Sequence, residues 1–276
     1  MIYLCAYLNG SGQMRQKYRQ VVEVVRVTHR DGAYFLLELS CDRRVDLRQI
    51  QPGQFVEVAV PNRKFMLRRP ISICDIEVEH SRLLLLIDAV GEGTQLICQV
   101  REGDSLDLIF PLGKGFALPK HSKATPLLIG GGVGIAPMVY LTRCIWQKLG
   151  VKPDVLLGAK TAACLDISGR VEPISTLHLC TDDGSLGFRG FVSEHPLWNE
   201  KKHSHVYVCG PNSMMKAIAR KVGGPDVYAE FSLENKMACG IGACLCCVEH
   251  TTTGNRCVCT EGPVFNLNEL RWLKQQ

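Results

Sequence analysis

Between positions 18 and 116 the apolar residues fall in short runs, many alternating with polar ones, broken by glycine, proline and acidic turns. The pattern predicts strands over 21–27, 33–39, 55–60, 71–76, 82–89 and 105–110. Q-P-G-Q at 51–54, E-G-D at 102–104 and P-L-G-K-G at 111–115 punctuate them. Short, evenly spaced strands of this kind close most economically into an antiparallel barrel. From 126 the period changes. P-L-L-I leads into G-G-G-V-G-I-A-P, a helical run over 138–149, and then the strand-like V-L-L-G-A, T-L-H-L-C and V-Y-V-C. Strand–helix alternation predicts a parallel sheet. The expected fold class is therefore multi-domain: an antiparallel β-barrel over 15–118, an α/β parallel-sheet domain over 119–228, and a small cysteine-rich domain over 229–276. Residues 1–14, apolar and then N-G-S-G-Q, read as a disordered and dispensable extension, with Met14 an alternative start.

Composition narrows the class. With 276 residues, 46% hydrophobic and 21% charged, the chain can bury a sizeable core. Its net charge of +5 is spread out, and Arg68-Arg69 and Lys201-Lys202 are pairs too short for a nucleic-acid track. No apolar run reaches the roughly 18–20 residues that span a bilayer, so no membrane partner is expected. Single cysteines in apolar surroundings, such as Cys74, Cys98, Cys144 and Cys180, read as reduced thiols of a cytoplasmic protein. The histidines are dispersed, and no general acid–base pair or nucleophile constellation stands out, so no catalytic residue is nominated.

The chemistry concentrates near the C-terminus. Cys239, Cys244 and Cys247 are spaced C-x4-C-x2-C, with a fourth thiolate available at Cys257 or Cys259. That spacing suits a loop wrapped around a [2Fe-2S] cluster. Gly240 and Gly242 free the backbone to approach the cluster sulfurs. A zinc site would want two C-x2-4-C knuckles, and Cys257 and Cys259 stand too close for the second. Cys246 sits beside a ligand, where its side chain should point away. Upstream, Gly130 to Gly134 join a buried strand to a helix, a junction that can cradle a pyrophosphate or serve only as a tight turn.

These pieces occur in the order found in the ferredoxin–NADP reductase superfamily: L-R-R-P-I-S-I at 67–73, V-G-E-G-T at 90–94, G-G-G-V-G-I-A-P at 130–137, C-G-P at 209–211 and the C-terminal cysteines. Within it the chain most resembles the electron-transfer subunits of type B, NAD-dependent dihydroorotate dehydrogenase, over residues 15–270. T-D-D-G-S-L-G-F-R-G at 181–190, M-A-C-G-I-G-A-C and V-C-T-E-G-P-V-F at 258–265 are the most specific stretches beside the first motif. The resemblance implies Cys239, Cys244, Cys247 and Cys259 as the cluster ligands. It implies FAD held by Arg69, Pro70, Ile71 and Ser72, by Leu86, Ile87 and Asp88, and by Gly93 and Thr94, Arg69 contacting phosphate and Ser72 the flavin edge. NAD is implied at Gly132, Gly134, Cys209 and Gly210. Gly158-Ala159-Lys160 lacks an arginine–serine cluster for a 2′-phosphate, which favours NAD over NADP. Asp182 and Asp183 either exclude a phosphate or form a solvated turn.

The implied function is a relay in pyrimidine biosynthesis. Electrons pass from an FMN-containing dihydroorotate-oxidising catalytic subunit, in a heterotetramer of two of each, through the cluster and FAD to NAD⁺, with the C-terminal third as the interface. Two alternatives stand beside it: an NAD(P)H–ferredoxin reductase or sulfide-dehydrogenase-type subunit, and a zinc-stabilised nucleotide-binding module without a redox role.

Overall fold

The computed structural model describes residues 2–8, 14–29, 32–62, 64–200, 202–222 and 226–274. The first half contains β1 (Ile2–Leu8), β2 (Met14–Thr28), β3 (Phe35–Ser40), β4 (Phe55–Val58), β5 (Arg69–Glu77), β6 (Arg82–Ile87), the helix α1 (Glu92–Cys98) and β7 (Ser105–Leu112). Strands β2, β3, β6, β5, β4 and β7 pair in that order, and β7 returns to β2 to close the barrel. The length of β2 makes closure possible: Tyr18–Glu23 pair with β7 and Glu23–Thr28 with β3, all antiparallel. Every second side chain turns inward, so Val56 and Val58 of β4 join Leu37, Leu39, Ile73, Leu83, Leu85 and Leu106 in the barrel interior.

Two stretches differ from the sequence expectation. Ile2–Leu8, expected to be disordered, form a strand paired antiparallel with β2, from Ile2 opposite Arg19 to Leu8 opposite Met14. Residues 9–13 of that extension lie outside the described residues. V-G-E-G-T at 90–94, which the resemblance makes a phosphate-contacting turn at Gly93 and Thr94, runs into a helix: Glu92 opens α1, with the Thr94 hydroxyl bonded to Gly91 N and O at 3.1 and 2.9 Å.

The second half contains β8 (Pro126–Gly131), α2 (Ile135–Leu149), β9 (Asp154–Ala159), β10 (Thr176–Thr181), β11 (Phe188–Arg189), β12 (His205–Cys209), α3 (Asn212–Ala219), β13 (Tyr228–Ser232), β14 (Val248–Thr251), β15 (Gly254–Cys257), α4 (Val258–Glu261), β16 (Val264–Asn266) and α5 (Arg271–Lys274). The sheet order is β11-β10-β9-β8-β12-β13-β16, parallel except where β16 joins β13 antiparallel. The cysteine-rich segment is thus less separate than its composition suggests. A boundary at 229 cuts through β13, which lies in the parallel sheet, and β16 returns from the cysteine segment to extend that sheet. Phe55 and Leu112 of the barrel, Ile129 and Phe231 of the sheet, and Cys247, Val258, Cys259 and Phe265 of the cysteine segment share one buried cluster.

Helix α2 fixes the parallel sheet to the barrel. Its N-terminal half buries Ile135, Met138, Val139 and Leu141 against Leu84 and Leu86 of β6 and Leu128 and Leu157 of the sheet. Tyr140 donates to the carbonyl of Ile50 at 2.9 Å, and Arg143 binds the buried Asp75 carboxylate through Nε at 2.9 Å and through Nη2, which also donates to Ile76 O at 2.7 Å. Burial raises the Asp75 carboxyl above its ordinary value, and the Arg143 charge opposes that. On the other side Glu230 accepts from Ala117 N at 2.8 Å, while Tyr207 donates to Ala117 O at 2.7 Å, clasping the segment between β7 and β8.

Removing Arg143 leaves the buried Asp75 carboxylate, among the described residues, with only Ile76 N at 3.0 Å and the Arg170 guanidinium at 3.9 Å. Arg143→Ala is expected to lower the free energy of urea unfolding by about 2–3 kcal/mol. Adding Asp75→Asn should recover part of that loss, whereas strictly additive effects would show the pair to be uncoupled.

Candidate functional site

A cleft of about 740 Å³ opens along the seam between the barrel and the C-terminal ends of the parallel strands. Pro70, Ile71 and Ser72 come from the half-exposed start of β5, Leu86, Ile87 and Asp88 from the end of β6, and Gly132 and Cys209 from the sheet side. Eight of the nominated residues therefore line one space. Cys209 is buried at the end of β12, and burial pushes its thiol well above the usual range, so it stays protonated and unreactive.

The remaining nominees stand apart from the lining. Gly134 supports the wall: a methyl group there would fall 2.5 Å from the Cys209 carbonyl oxygen and 2.7 Å from Gly210 N, so only glycine lets the β8–α2 turn pass behind Cys209 and Gly210. Arg69 and Gly93 meet each other. The guanidinium lies where a Gly93 side chain would be, 2.5 Å from its Cβ position, and donates to Leu67 O at 2.9 Å. The Thr94 hydroxyl is occupied by its bonds to Gly91.

Sequence reasoning passed over several cleft residues. Tyr34, Phe55, Phe191, Glu234 and Met237 all contribute to the wall. Phe191, 60% exposed, follows directly on the T-D-D-G-S-L-G-F-R-G motif, and an aromatic beside a glycine-rich turn is the signal that could have found it. Glu234 is open to the cleft yet ringed closely enough by protein that partial dehydration holds its carboxyl above the ordinary value. At the end of β10 the two neighbouring acids separate: Asp182 lines the cleft, while Asp183 turns back to accept from Ser185 N and Oγ at 2.9 and 2.6 Å.

The nominated thiols form a second site. The loop from Cys239 to Cys247 and the start of α4 bring backbone N–H groups onto sulfur: Gly242 N to Cys259 Sγ at 3.2 Å, Cys244 N to Cys239 Sγ at 3.4 Å, and Cys259 N to Cys247 Sγ at 3.4 Å. Burial alone would raise the Cys239 thiol, but the N–H groups of Ile241, Cys244 and Ala243 outweigh it and hold it down at about 6. Cys259 is pushed up to about 12 by burial and by the neighbouring Cys247 thiol. Cys247 and Cys259 are buried, Cys239 is half-buried and Cys244 exposed, so the cradle has an inner and an outer wall. Thiolates ringed by donated N–H groups are the donor set that an anionic iron–sulfur cluster requires, and the residues fit that group. Among the described residues no three His, Cys, Asp or Glu side chains converge tightly enough to hold a lone metal ion. Cys257, half-buried, also lies within electrostatic reach of Cys239, Cys244 and Cys247, and the cysteines from Cys41 to Cys259 are free thiols.

The two sites share a strand. Val56 and Val58 of β4 face the barrel interior, so Phe55 and Glu57 face out. Phe55 lines the cleft, and Glu57 lies under the cysteine loop, where Gly240, at φ +67°, would place a Cβ 2.5 Å from Glu57 Cγ. Pairing repeats the arrangement one strand over, with Phe55 opposite Ser72 and Glu57 opposite Pro70. Glu57 is fully buried, neither carboxylate oxygen has a hydrogen-bond partner among the described residues, and burial pushes the carboxyl up to about 7 against the opposing charge of Arg68.

Comparison with known proteins gives a consistent result. Residues 234–271 match the family described as the iron-sulfur cluster binding domain of dihydroorotate dehydrogenase B, and residues 128–220 match the oxidoreductase NAD-binding domain. The chain is 37% identical over 240 residues to the "Dihydroorotate dehydrogenase B (NAD(+)), electron transfer subunit" of Geobacillus kaustophilus, covering 84% of this chain and 91% of that one. It is 34% identical to the Shouchella clausii protein of the same name, covering 93% and 99%. Among solved structures, that of an NADH-dependent reduced ferredoxin-NADP oxidoreductase superposes with a TM-score of 0.81 at 27% identity, covering 92% of this chain and 90% of that one. Phthalate dioxygenase reductase shares the fold, with a TM-score of 0.60 at 20% identity over 79% and 70% of the two chains. With a cysteine cradle and a nucleotide-sized cleft carried on one barrel strand, and with relatives matched over most of its length, the chain belongs to the family of electron transfer subunits of NAD(+)-dependent dihydroorotate dehydrogenase B.

Proposed function

We propose that this chain carries electrons from an FMN-containing catalytic subunit that oxidises dihydroorotate, through a [2Fe-2S] cluster and FAD, to NAD⁺. One observation carries the reading: the cysteine cradle and the cleft meet on the outer face of β4, where Phe55 lines the cleft and Glu57, two residues on, lies under the cysteine loop. FAD supplies the exchange between single electrons and a hydride pair. The chain's own residues bind, orient and exclude. Cys239, Cys244, Cys247 and Cys259 hold the cluster, and the N–H groups of Gly242, Cys244 and Cys259 support the thiolate charge. Pro70, Ile71 and Ser72 form the flavin wall, and Arg69, with Gly93, offers a guanidinium to the diphosphate. Gly132 and Cys209 face the flavin wall across the cleft, which suits them to the nicotinamide end of NAD, with Gly134 and Gly210 as support.

The outer wall of the cradle suits the catalytic partner. Leu245, 62% exposed, and Ile241, 47% exposed, lie on the loop beside the exposed Cys244, so an apolar surface surrounds the point where electrons would enter. The assembly we assign is a heterotetramer of two of each subunit. The free thiols and the absence, among the described residues, of any helix long and apolar enough to cross a membrane agree with a cytoplasmic setting.

Cys259→Ser is expected to abolish the visible cluster absorption while FAD remains bound, and Cys257→Ser to leave both unchanged; the opposite pattern would exchange the two ligand assignments. Because Asp182 alone of the acid pair faces the cleft, Asp182→Ser should raise kcat/KM for NADP⁺ relative to NAD⁺ by about tenfold, the scale of removing one charge repulsion. Asp183→Asn should leave that ratio unmoved. Leu245→Asp should weaken association with the catalytic subunit by about tenfold, the scale of losing one interface anchor, with the flavin and cluster spectra of the free subunit unchanged. Unaltered affinity by titration calorimetry would place the docking surface elsewhere.

A further inference from the structure

Glu57 is an acid that the fold has no structural use for. It sits on the outer face of a barrel strand, is completely buried beneath the cysteine loop, and leaves both oxygens without a hydrogen-bond partner among the described residues. The nearby arginines oppose the burial of this charge but do not bond its carboxylate: Arg68 Nη1 reaches only the Glu57 backbone carbonyl, at 3.3 Å. Arg68 donates to Asp107 through Nη2 to Oδ2 at 2.8 Å and through Nη1 to the backbone carbonyl at 2.7 Å, and Arg69 lies over Gly93. An apolar side chain would fill this place without the desolvation cost of a carboxylate. Gly240, directly over the Glu57 side chain, is next in sequence to Cys239, so the carboxyl group lies nearer the cluster cradle than the cleft that Phe55 lines.

We propose that Glu57 is a positioning residue for the electron step: its carboxylate, buried under the loop without a hydrogen-bond partner among the described residues, lowers the reduction potential of the cluster relative to the flavin and so favours onward transfer. The proposal rests on the relay reading given above. A buried charge disfavours adding an electron nearby, and it acts most strongly on the closer centre.

The test is a redox titration of the purified holo-subunit at mildly alkaline pH, with the cluster followed by electron paramagnetic resonance and FAD by absorbance. Glu57→Gln should make the cluster about tenfold easier to reduce, a rise of about 59 mV for one electron. The flavin potential should move less, and Glu57→Asp should stay near wild type. An unchanged cluster potential in a Glu57→Gln protein with full iron and sulfide content would overturn the proposal. So would loss of the cluster in Glu57→Gln but not in Glu57→Asp, which would make the residue a seat for the loop. A wild-type subunit with no reducible iron centre would instead sink the relay reading, and this proposal with it.

Discussion

The contact of Gly240 with Glu57 is the constraint on which the rest of the architecture turns. A loop that must wrap an inorganic cluster has to be fixed to something rigid, and here it is set against the outside of a closed barrel. The left-handed backbone at Gly240 and its missing side chain allow the approach. Since β4 alternates its faces, the strand that carries the loop at Glu57 carries the cleft at Phe55, two residues or about 7 Å along. No conformational change is needed to bring the two sites together.

The surrounding packing keeps that relation fixed. The cysteine segment is tied into the parallel sheet by β16 and into the barrel by the cluster that Cys247 and Cys259 share with Phe55 and Leu112. Helix α2 holds sheet to barrel through Tyr140 and the Arg143–Asp75 pair. The cleft therefore lies between two rigid walls, one from β5 and β6 and one from the ends of β8, β9, β10 and β12. Its sheet side is lined by glycine at 131, 132 and 158, which leaves room for a flat, extended ligand. The buried thiols face the protein and the exposed one faces outward, so the polarity of the cradle matches a path from a docked partner towards the cleft.

Much of this was legible in the sequence, and the reasons are specific. The six barrel strands stood out because short apolar runs, many of them alternating, lie between turn residues, and α2 because its period shifts directly after a glycine run. Cys239, Cys244 and Cys247 were legible because their spacing belongs to a single loop. Long-range relations were not. Nothing local marks β16 as an edge of the parallel sheet, since that depends on pairing with β13 across the whole cysteine segment, and Ile2–Leu8, although it pairs with the next strand, is followed by an N-G-S-G-Q stretch that reads as a tail. Tyr34, Phe191 and Glu234 enter the cleft only because the two sheets face each other. Asp182 and Asp183 look alike in the sequence, and only the Ser185 hydrogen bonds tell them apart. Glu57 looked like an ordinary polar position of an alternating strand, and its burial comes from a loop more than one hundred and eighty residues away.

The central claim is that cradle and cleft form one electron path within this chain alone. Anaerobic mixing of the fully reduced isolated holo-subunit with NAD⁺, followed by stopped-flow absorbance, tests it without the catalytic partner. The flavin and iron–sulfur bands are both expected to reoxidise within a single turnover of the assembled enzyme. A flavin that reoxidises while the cluster stays reduced over many turnover times would contradict the claim.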